Sequence, residues 1–428
     1  MFLARLLVLF SLVCISCAHS SFEQKQLKHA LDFATSNRLE LEILLQHYTY
    51  DSLKLEAAKF LIRNMPHCYS YQQGGEMDSV KRVRTYYSPF GQIDQTYARR
   101  WGHYTYRNLP KIYDAHIITA EYLIDNIDRA FDNWQKRPWN RSLSFEDFCE
   151  YLLPYRIGDE PLEEWRELYE KKYGYLLDSI YKGSDVVEAA NLVSRHLQEP
   201  VFIYCEDFEL PHIGPRYLFS HRYGSCVDAA DIVTYAFRAV GIPCMEDTDA
   251  RGGHVWNVVR DTTGRDVPIW YIASEAVRGS RDTGGYKRGK VYRPMYGFQE
   301  EKAAHLGDDW KSMPLLFYHP YMKDVSYAYY PDTLRILTGI PDDEVCYLAH
   351  FHEAHWWSCA CARSASGKME IPNLESELVY LPMKYTKGNY YPSGFPFWFA
   401  GGEINTFLPD WEKTVKVRLY RKYPVYGW

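Results

Sequence analysis

The stretch that most limits what this chain can fold into is RYGSCVDAADIVTYAFRAVGIP, from Arg222 to Pro243. Val227, Ala230, Val233, Ala236, Phe237 and Val240 recur at helical spacing, which predicts a helix of about four turns. Gly224-Ser225 reads as the turn before it. Gly241-Ile242-Pro243 is a stop, because proline cannot continue a helix, and Pro243 begins extended chain. Val255–Val259 and Pro268–Ala273 then read as strands. A cysteine, Cys226, stands where the turn gives way to the helix.

The rest of the chain falls into helix-rich and strand-rich parts. Residues 22–65 read as short helices, with Leu27, Ala30, Leu31 and Ala34, then Leu53, Ala57, Phe60 and Leu61, at helical spacing. Ser36-Asn37 and Tyr50-Asp51 supply breaks and caps between them. Residues 66–110 read as irregular. A long helix is expected from Asp114 to Trp134, and a second over the residues that Ser144 caps, ending at Pro154. Pro161 is expected to open the next, and Val186 to Leu197 to form another. Cys149, among Phe145, Phe148 and Leu152, reads as core. Beyond Asp324 turns recur between short strands: Cys346–Phe351, Trp356–Ala362, Glu377–Tyr385 and Val415–Tyr420. The fold class is therefore α+β, with an N-terminal helical region and a C-terminal β-sandwich.

Composition closes some doors. The 428 residues suffice for more than one domain, and 46% hydrophobic content allows a large core. A net charge of −6, with no basic stripe, gives no basis for nucleic-acid binding. The 38 tyrosines and 12 tryptophans suit either β-rich cores or exposed sugar- or peptide-binding faces.

The first residues carry one charge, Arg5, then an apolar run from Leu6 to Ile15. That is too short for a membrane span and reads as a secretory signal. It ends at Ser16-Cys17, which resembles a bacterial lipobox with Cys17 as the lipidated N-terminus, although Cys14 stands where leucine is usual. The alternative is cleavage after Ala18, leaving a soluble exported protein. The lipoprotein reading places the protein in the cell envelope, held to a membrane without spanning it.

Export permits disulfides, but the cysteine spacing shows neither a dense framework nor the pairs of a zinc site. Cys359 and Cys361, two apart, are expected to share one face of a strand. His352-Glu353-Ala354-His355 is one residue short of the spacing that sets two histidines on one helical face, and reads as a loop or strand end. No metal and no cofactor is expected.

A cysteine at a helix N-terminus has a chemical use. The backbone N–H groups and the helix dipole favour the thiolate, and the same N–H groups can stabilise an oxyanion. Downstream, RGGHVWNVV sets His254 on a predicted strand, the helix-borne thiol and strand-borne imidazole of acyl-transfer enzymes. A buried structural cysteine is the alternative. Asp228, in the first turn, reads as support for the helix dipole.

The order GSCVDAA, FRAVGIP, GGHVWNVV resembles the transglutaminase-like core, a papain-like Cys–His–Asp fold, over residues 215–277. Phe148-Cys-Glu-Tyr-Leu-Leu-Pro-Tyr-Arg156, Gly289-Lys-Val-Tyr-Arg293 and Val379-Tyr-Leu-Pro382 are similar to segments of exported Bacteroidetes-type proteins that carry this core. The resemblance implies Cys226 as nucleophile and His254 as general base. It implies a carboxylate to orient the imidazole; Ser274 holds the usual position, Glu275 follows it, and Asp261 and Asp266 are solvated loop alternatives. Trp256 is expected to wall the site or to pack, and Tyr223 to touch substrate at the rim or supply an oxyanion donor. Cys244, after Pro243, is expected to be buried, yet a possible confusion in thiol labelling.

The expected organisation is thus a signal peptide with lipobox over 1–17, the helical region over 22–110, a helical insert and core over 111–300, and the sandwich over 324–428. The expected activity is thiol-dependent acyl transfer at amide bonds, chiefly hydrolysis of a peptide or glycopeptide. The alternative is a non-catalytic scaffold that binds glycans or protein at the cell surface.

Overall fold

The computed structural model describes residues 21–413 except 76, 80, 83–105, 200, 205–209, 252, 271, 273, 282–286, 301–312, 338, 353, 354 and 411. The signal region with Cys17, Cys205 and the strand expected over Val415–Tyr420 lie outside the described residues. The fold is mixed α+β, and its C-terminal part is rich in sheet. Among the described residues no helix is long and apolar enough to cross a membrane.

The N-terminal layer holds α1 (21–33), α2 (Arg38–His47) and α3 (Ser52–Asn64). Asp51 caps α3 by accepting the Lys54 N–H, as the Tyr50-Asp51 break implies. Within residues 66–110, read as irregular, β1 (Tyr69–Tyr71) forms and pairs with β2 (Lys111–Tyr113). The long helix α4 spans Ala120–Lys136 and is capped by Thr119, later than expected. Asp114 precedes it because its carboxylate is drawn into the interior by Arg156, at 2.6 Å from Nε. Ala30, Leu41, Leu61, Leu123 and Phe148 join these helices in one core, which includes Cys149 on α5 (Phe145–Tyr151). Ser144 caps α5 as predicted. α6 begins at Arg166 and runs to Tyr175, after extended chain, so Pro161 does not open it. The intervening turn is built instead by Glu160, whose carboxylate takes the N–H groups of Ile157 and Gly158. α7 spans Val186–Leu197, as the pattern predicts.

The short strands β3 (Ile203–Tyr204) and β4 (Tyr223–Gly224) pair in parallel on either side of α8 (Pro215–Ser220). β4 leads into α9 (Cys226–Ala239), of which every residue but Val227 is buried. A helix covered on all sides is mostly apolar, and the polar residues it carries, such as Asp231, Thr234 and Arg238, need partners. It packs on α6, α7 and an antiparallel sheet of order β7-β6-β5-β8-β9. These strands are β5 (Cys244–Asp249), β6 (Val255–Arg260), β7 (Asp266–Ile269), β8 (Val291–Pro294) and β9 (Met322–Asp324).

In the C-terminal part β10 (Asp332–Leu337) pairs with β13 (Lys368–Leu374). β11 (Val345–His352), β12 (His355–Arg363), β14 (Leu378–Thr386), β15 (Asn389–Pro392), β16 (Phe397–Ala400) and β17 (Glu403–Thr406) form a six-stranded antiparallel sheet. Leu334, Met369 and Ile371 of the two-stranded ribbon pack on Leu348, Tyr380 and Phe399 of the larger sheet. His352 and His355 face each other across the β11–β12 hairpin, so this motif is a strand end, as expected. The expectation for Cys359 and Cys361 fails. Pairing shifts between Leu348 and Ala349, and this bulge sends Cys359 to the core under the ribbon and Cys361 to the opposite cluster.

Candidate functional site

The turn before α9 explains its own sequence. The Asp228 carboxylate reaches back to accept the Ser225 N–H at 2.7 Å, and the Ser225 hydroxyl at 3.2 Å, closing the first turn from below. A Cβ on Gly224 would come within 2.2 Å of Asp228 Oδ2, so only glycine leaves room for this cap. Asp228 thus supports the helix start, as expected. Cys226 is the first helical residue and 6% exposed.

Hydrogen bonds fix how α9 lies on the sheet. Arg238 Nε donates to the Cys244 carbonyl, and Cys244 pairs with Val259 of β6. Asn257 donates to the Ala230 carbonyl at 3.0 Å and the Thr234 hydroxyl at 2.9 Å. Helix and strand therefore run in the same direction. One turn before Ala230, Cys226 comes to the end of β6 that Val255 opens and His254 precedes. Their chain neighbours Val227 and Val255 line one cavity.

His254 is 7% exposed and lies among indoles, with its ring 4.7 Å from that of Trp270, edge to face, and 5.7 Å from that of Trp256. The preceding loop is set by the buried Asp249. Its Oδ1 accepts the N–H groups of Arg251 and Gly253, and its Oδ2 holds Arg251 Nη2 at 2.8 Å. Trp256 is wholly buried, donates to the Tyr329 hydroxyl and carries the Arg288 guanidinium 4.7 Å above its ring. Of its two expected roles it packs. Tyr223 is 1% exposed, inside the core rather than at a rim.

The expected carboxylate is not brought to the imidazole. Glu275 is 53% exposed and its Oε1 holds Arg195 of α7 at 2.6 Å. Next to it, Asn191 of α7 clamps both the N–H and the carbonyl of Ala276. Asp261 and Asp266 are not solvated either. Asp261 closes its own turn and binds Arg278, while Asp266 receives Tyr151 and Arg293. Cys244 is fully buried and its thiol is pushed up to about 12 by burial, so it stays protonated at neutral pH.

The cavity, about 460 Å³, opens beside this helix start and is bordered by groups that the motif reading missed. His212 Nδ1 lies 2.9 Å from both oxygens of Asp231, which is fully buried on α9. Burial opposes charge on His212, but the Asp231 carboxylate outweighs it and raises the imidazole well above its ordinary value. Glu246 is pushed up to about 8, first by burial and then by Asp231. The geometry agrees. The Thr234 hydroxyl is 3.1 Å from the Ala230 carbonyl and 2.7 Å from Glu246 Oε1, with one proton to give. A protonated Glu246 lets both contacts stand. His67, which also lines the cavity, is pushed down to about 3 by burial, against the pull of the Asn64 carbonyl, and is neutral. One sequence signal pointed here. Asp231, Thr234 and Arg238 are spaced so that they fall on one stripe of an otherwise apolar helix, where buried polar groups must meet partners.

Among the described residues no cluster of His, Cys, Asp or Glu has the makings of a metal site. Compared with protein-family models, curated proteins and solved structures, the chain matches none.

Proposed function

We propose that this protein is a thiol-dependent acyl-transfer enzyme acting on amide bonds, with Cys226 as nucleophile, His254 as general base and hydrolysis of a peptide or glycopeptide as its main reaction. The observation that supports the reading is that Val227 and Val255, the chain neighbours of Cys226 and His254, line one cavity. His254 takes the thiol proton, and the thiolate adds to the amide carbonyl. The N–H groups of the first turn of α9 face the developing oxyanion. Collapse breaks the C–N bond, and the imidazolium gives its proton to the leaving amine. Water, activated by the same imidazole, then releases the acid from the thioester. Glu275 has no part in this scheme, because its carboxylate serves Arg195. The indoles of Trp256 and Trp270 hold the imidazole instead. The N-terminal signal belongs to the same reading: an exported protein anchored in the cell envelope through lipid on Cys17.

A second reading rests on exposure. Cys226 and His254 are both nearly covered, while Phe351, Tyr391, Phe395 and Trp398 of the C-terminal region are exposed. In that case the core is a scaffold and the C-terminal face binds glycan or protein.

Iodoacetamide labelling of the purified protein against pH, read by mass spectrometry at each cysteine, separates the two. Catalysis predicts fast labelling of Cys226 near neutral pH, and loss of that enhancement in His254→Ala. Labelling no faster than that of a free thiol of pKa ~8.5, or none in either protein, ends the catalytic reading.

A further inference from the structure

The His254 imidazole rests on the Trp256 indole, and the indole rests on a cation supplied from further along the chain. The His254 carbonyl accepts the Asp249 N–H at 3.2 Å, which continues the β5–β6 ladder by one residue. His254 and Trp256, two apart, therefore share one strand face, with their rings 5.7 Å apart. Whatever fixes the indole fixes this support. Its Nε1 donates to the Tyr329 hydroxyl at 2.9 Å, and that hydroxyl donates to Asp247 Oδ2 at 2.7 Å. Its ring is covered by the Arg288 guanidinium, 4.7 Å from the centroid. Arg288 is 5% exposed, and a cation over an indole gains most where water is excluded.

Arg288 is itself placed by the C-terminal part. Glu375, between β13 and β14, accepts the N–H groups of Arg288 and Gly289 on one oxygen, at 2.5 and 2.9 Å. Its own N–H goes to the Gly289 carbonyl at 3.0 Å. Gly289 has a φ of +73°, and a Cβ there would lie 3.0 Å from the Cys359 Sγ of β12, so glycine lets this segment lie against the sheet. Ala250, in the loop that leads to His254, packs on the same C-terminal core. We infer that Arg288 is a positioning residue for His254, acting through Trp256, and that Glu375 ties the C-terminal sheet to the site by holding Arg288 in place. For its effect on Cys226 the inference rests on the acyl-transfer reading; its effect on the imidazole is measurable without that reading.

Arg288→Leu and Arg288→Lys in the purified protein test it, with urea unfolding to check that each folds. Two readouts are compared with wild type. One is the ring C–H signals of His254 by NMR with the imidazole neutral, which the ring currents of Trp256 and Trp270 displace. The other is the rate of Cys226 labelling by iodoacetamide, read by mass spectrometry. Arg288→Leu is expected to move the His254 ring signals and to slow Cys226 labelling about tenfold, because small misplacements of a reacting group cost rate steeply. Arg288→Lys keeps a cation over the indole and should recover most of both. Should Arg288→Leu fail to fold, Glu375→Gln, which weakens the acceptor for the Arg288 N–H, must give the same changes in smaller measure. The inference is overturned if the folded variant matches wild type in both readouts, or if Arg288→Lys does no better than Arg288→Leu, for then Arg288 only fills space. If wild-type Cys226 labels no faster than a free thiol, the acyl-transfer reading fails, and the His254 signals alone decide whether Arg288 positions the imidazole.

Discussion

At Gly224 a single hydrogen atom decides the geometry of the helix start. Gly224→Ala drives a methyl group into Asp228 Oδ2 and so displaces the cap on Ser225. Loss of a cap costs about 1–2 kcal/mol, and the expected result is a urea midpoint lowered accordingly. Glu275 gives the opposite expectation. Its bond to Arg195 joins two half-exposed groups, and such pairs are worth about 0–1 kcal/mol. Glu275→Ala should leave both the melting temperature and the labelling rate of Cys226 nearly unchanged. A collapse of labelling in that variant would restore Glu275 as the partner of His254. Neither point was readable in the sequence. The adjacency of Glu275 to the expected position is a matter of residue count, whereas its partner, Arg195, lies far away in the chain.

The elements around the site were legible where local chemistry sets them. The boundaries of α9, α5 and α7 follow from caps, a proline stop and apolar spacing, all short-range effects. Those of α4 and α6 did not, because Asp114 and Glu160 are diverted into buried contacts with Arg156 and nearby backbone. The loop before β6 belongs to this scale. Asp249→Ala removes the acceptor for two backbone N–H groups and one guanidinium, and leaving buried donors unmet costs about 1–3 kcal/mol each. The expected outcome is faster amide hydrogen exchange over 250–255 and, on the acyl-transfer reading, slower labelling of Cys226, since His254 hangs from this loop.

Over the whole molecule, buried ionisable groups tie the parts together and set the response to pH. Glu246 is pushed up to about 8 and Glu150, by burial, up to about 7, against an ordinary value of 4.5. A carboxyl raised in the fold keeps its proton where the unfolded chain has lost it. The stability it contributes is therefore complete below the unfolded value and is lost as pH rises through the folded one. For Glu246 that window runs from about 4.5 to about 8. Urea unfolding at successive pH values should show wild type losing stability across it, at up to about 1.4 kcal/mol per pH unit for one proton. Glu246→Gln should flatten the slope between pH 7 and 8, leaving the Glu150 contribution below. The Asp114–Arg156 pair joins the N-terminal layer to the chain leading into α6, with both side chains at most 4% exposed. Asp114→Ala leaves the buried Arg156 guanidinium only the Glu160 carboxylate, 3.6 Å from Nη1, and should cost up to about 3 kcal/mol, measured by the same unfolding experiment.

By itself the sequence determined the mixed α+β class, the sheet-rich C-terminal part, the helix that begins at Cys226, and the strand that follows His254. Each of these rests on hydrophobic period, caps and turn residues within a few positions of one another. The tertiary structure alone decided that Glu275 serves Arg195, that Cys359 and Cys361 part across a bulge, and that His67, His212 and Glu246 border one cavity. Those outcomes depend on residues tens to hundreds of positions apart. Burial fixes their charge states, and no local pattern records which distant side chain will be there to meet them.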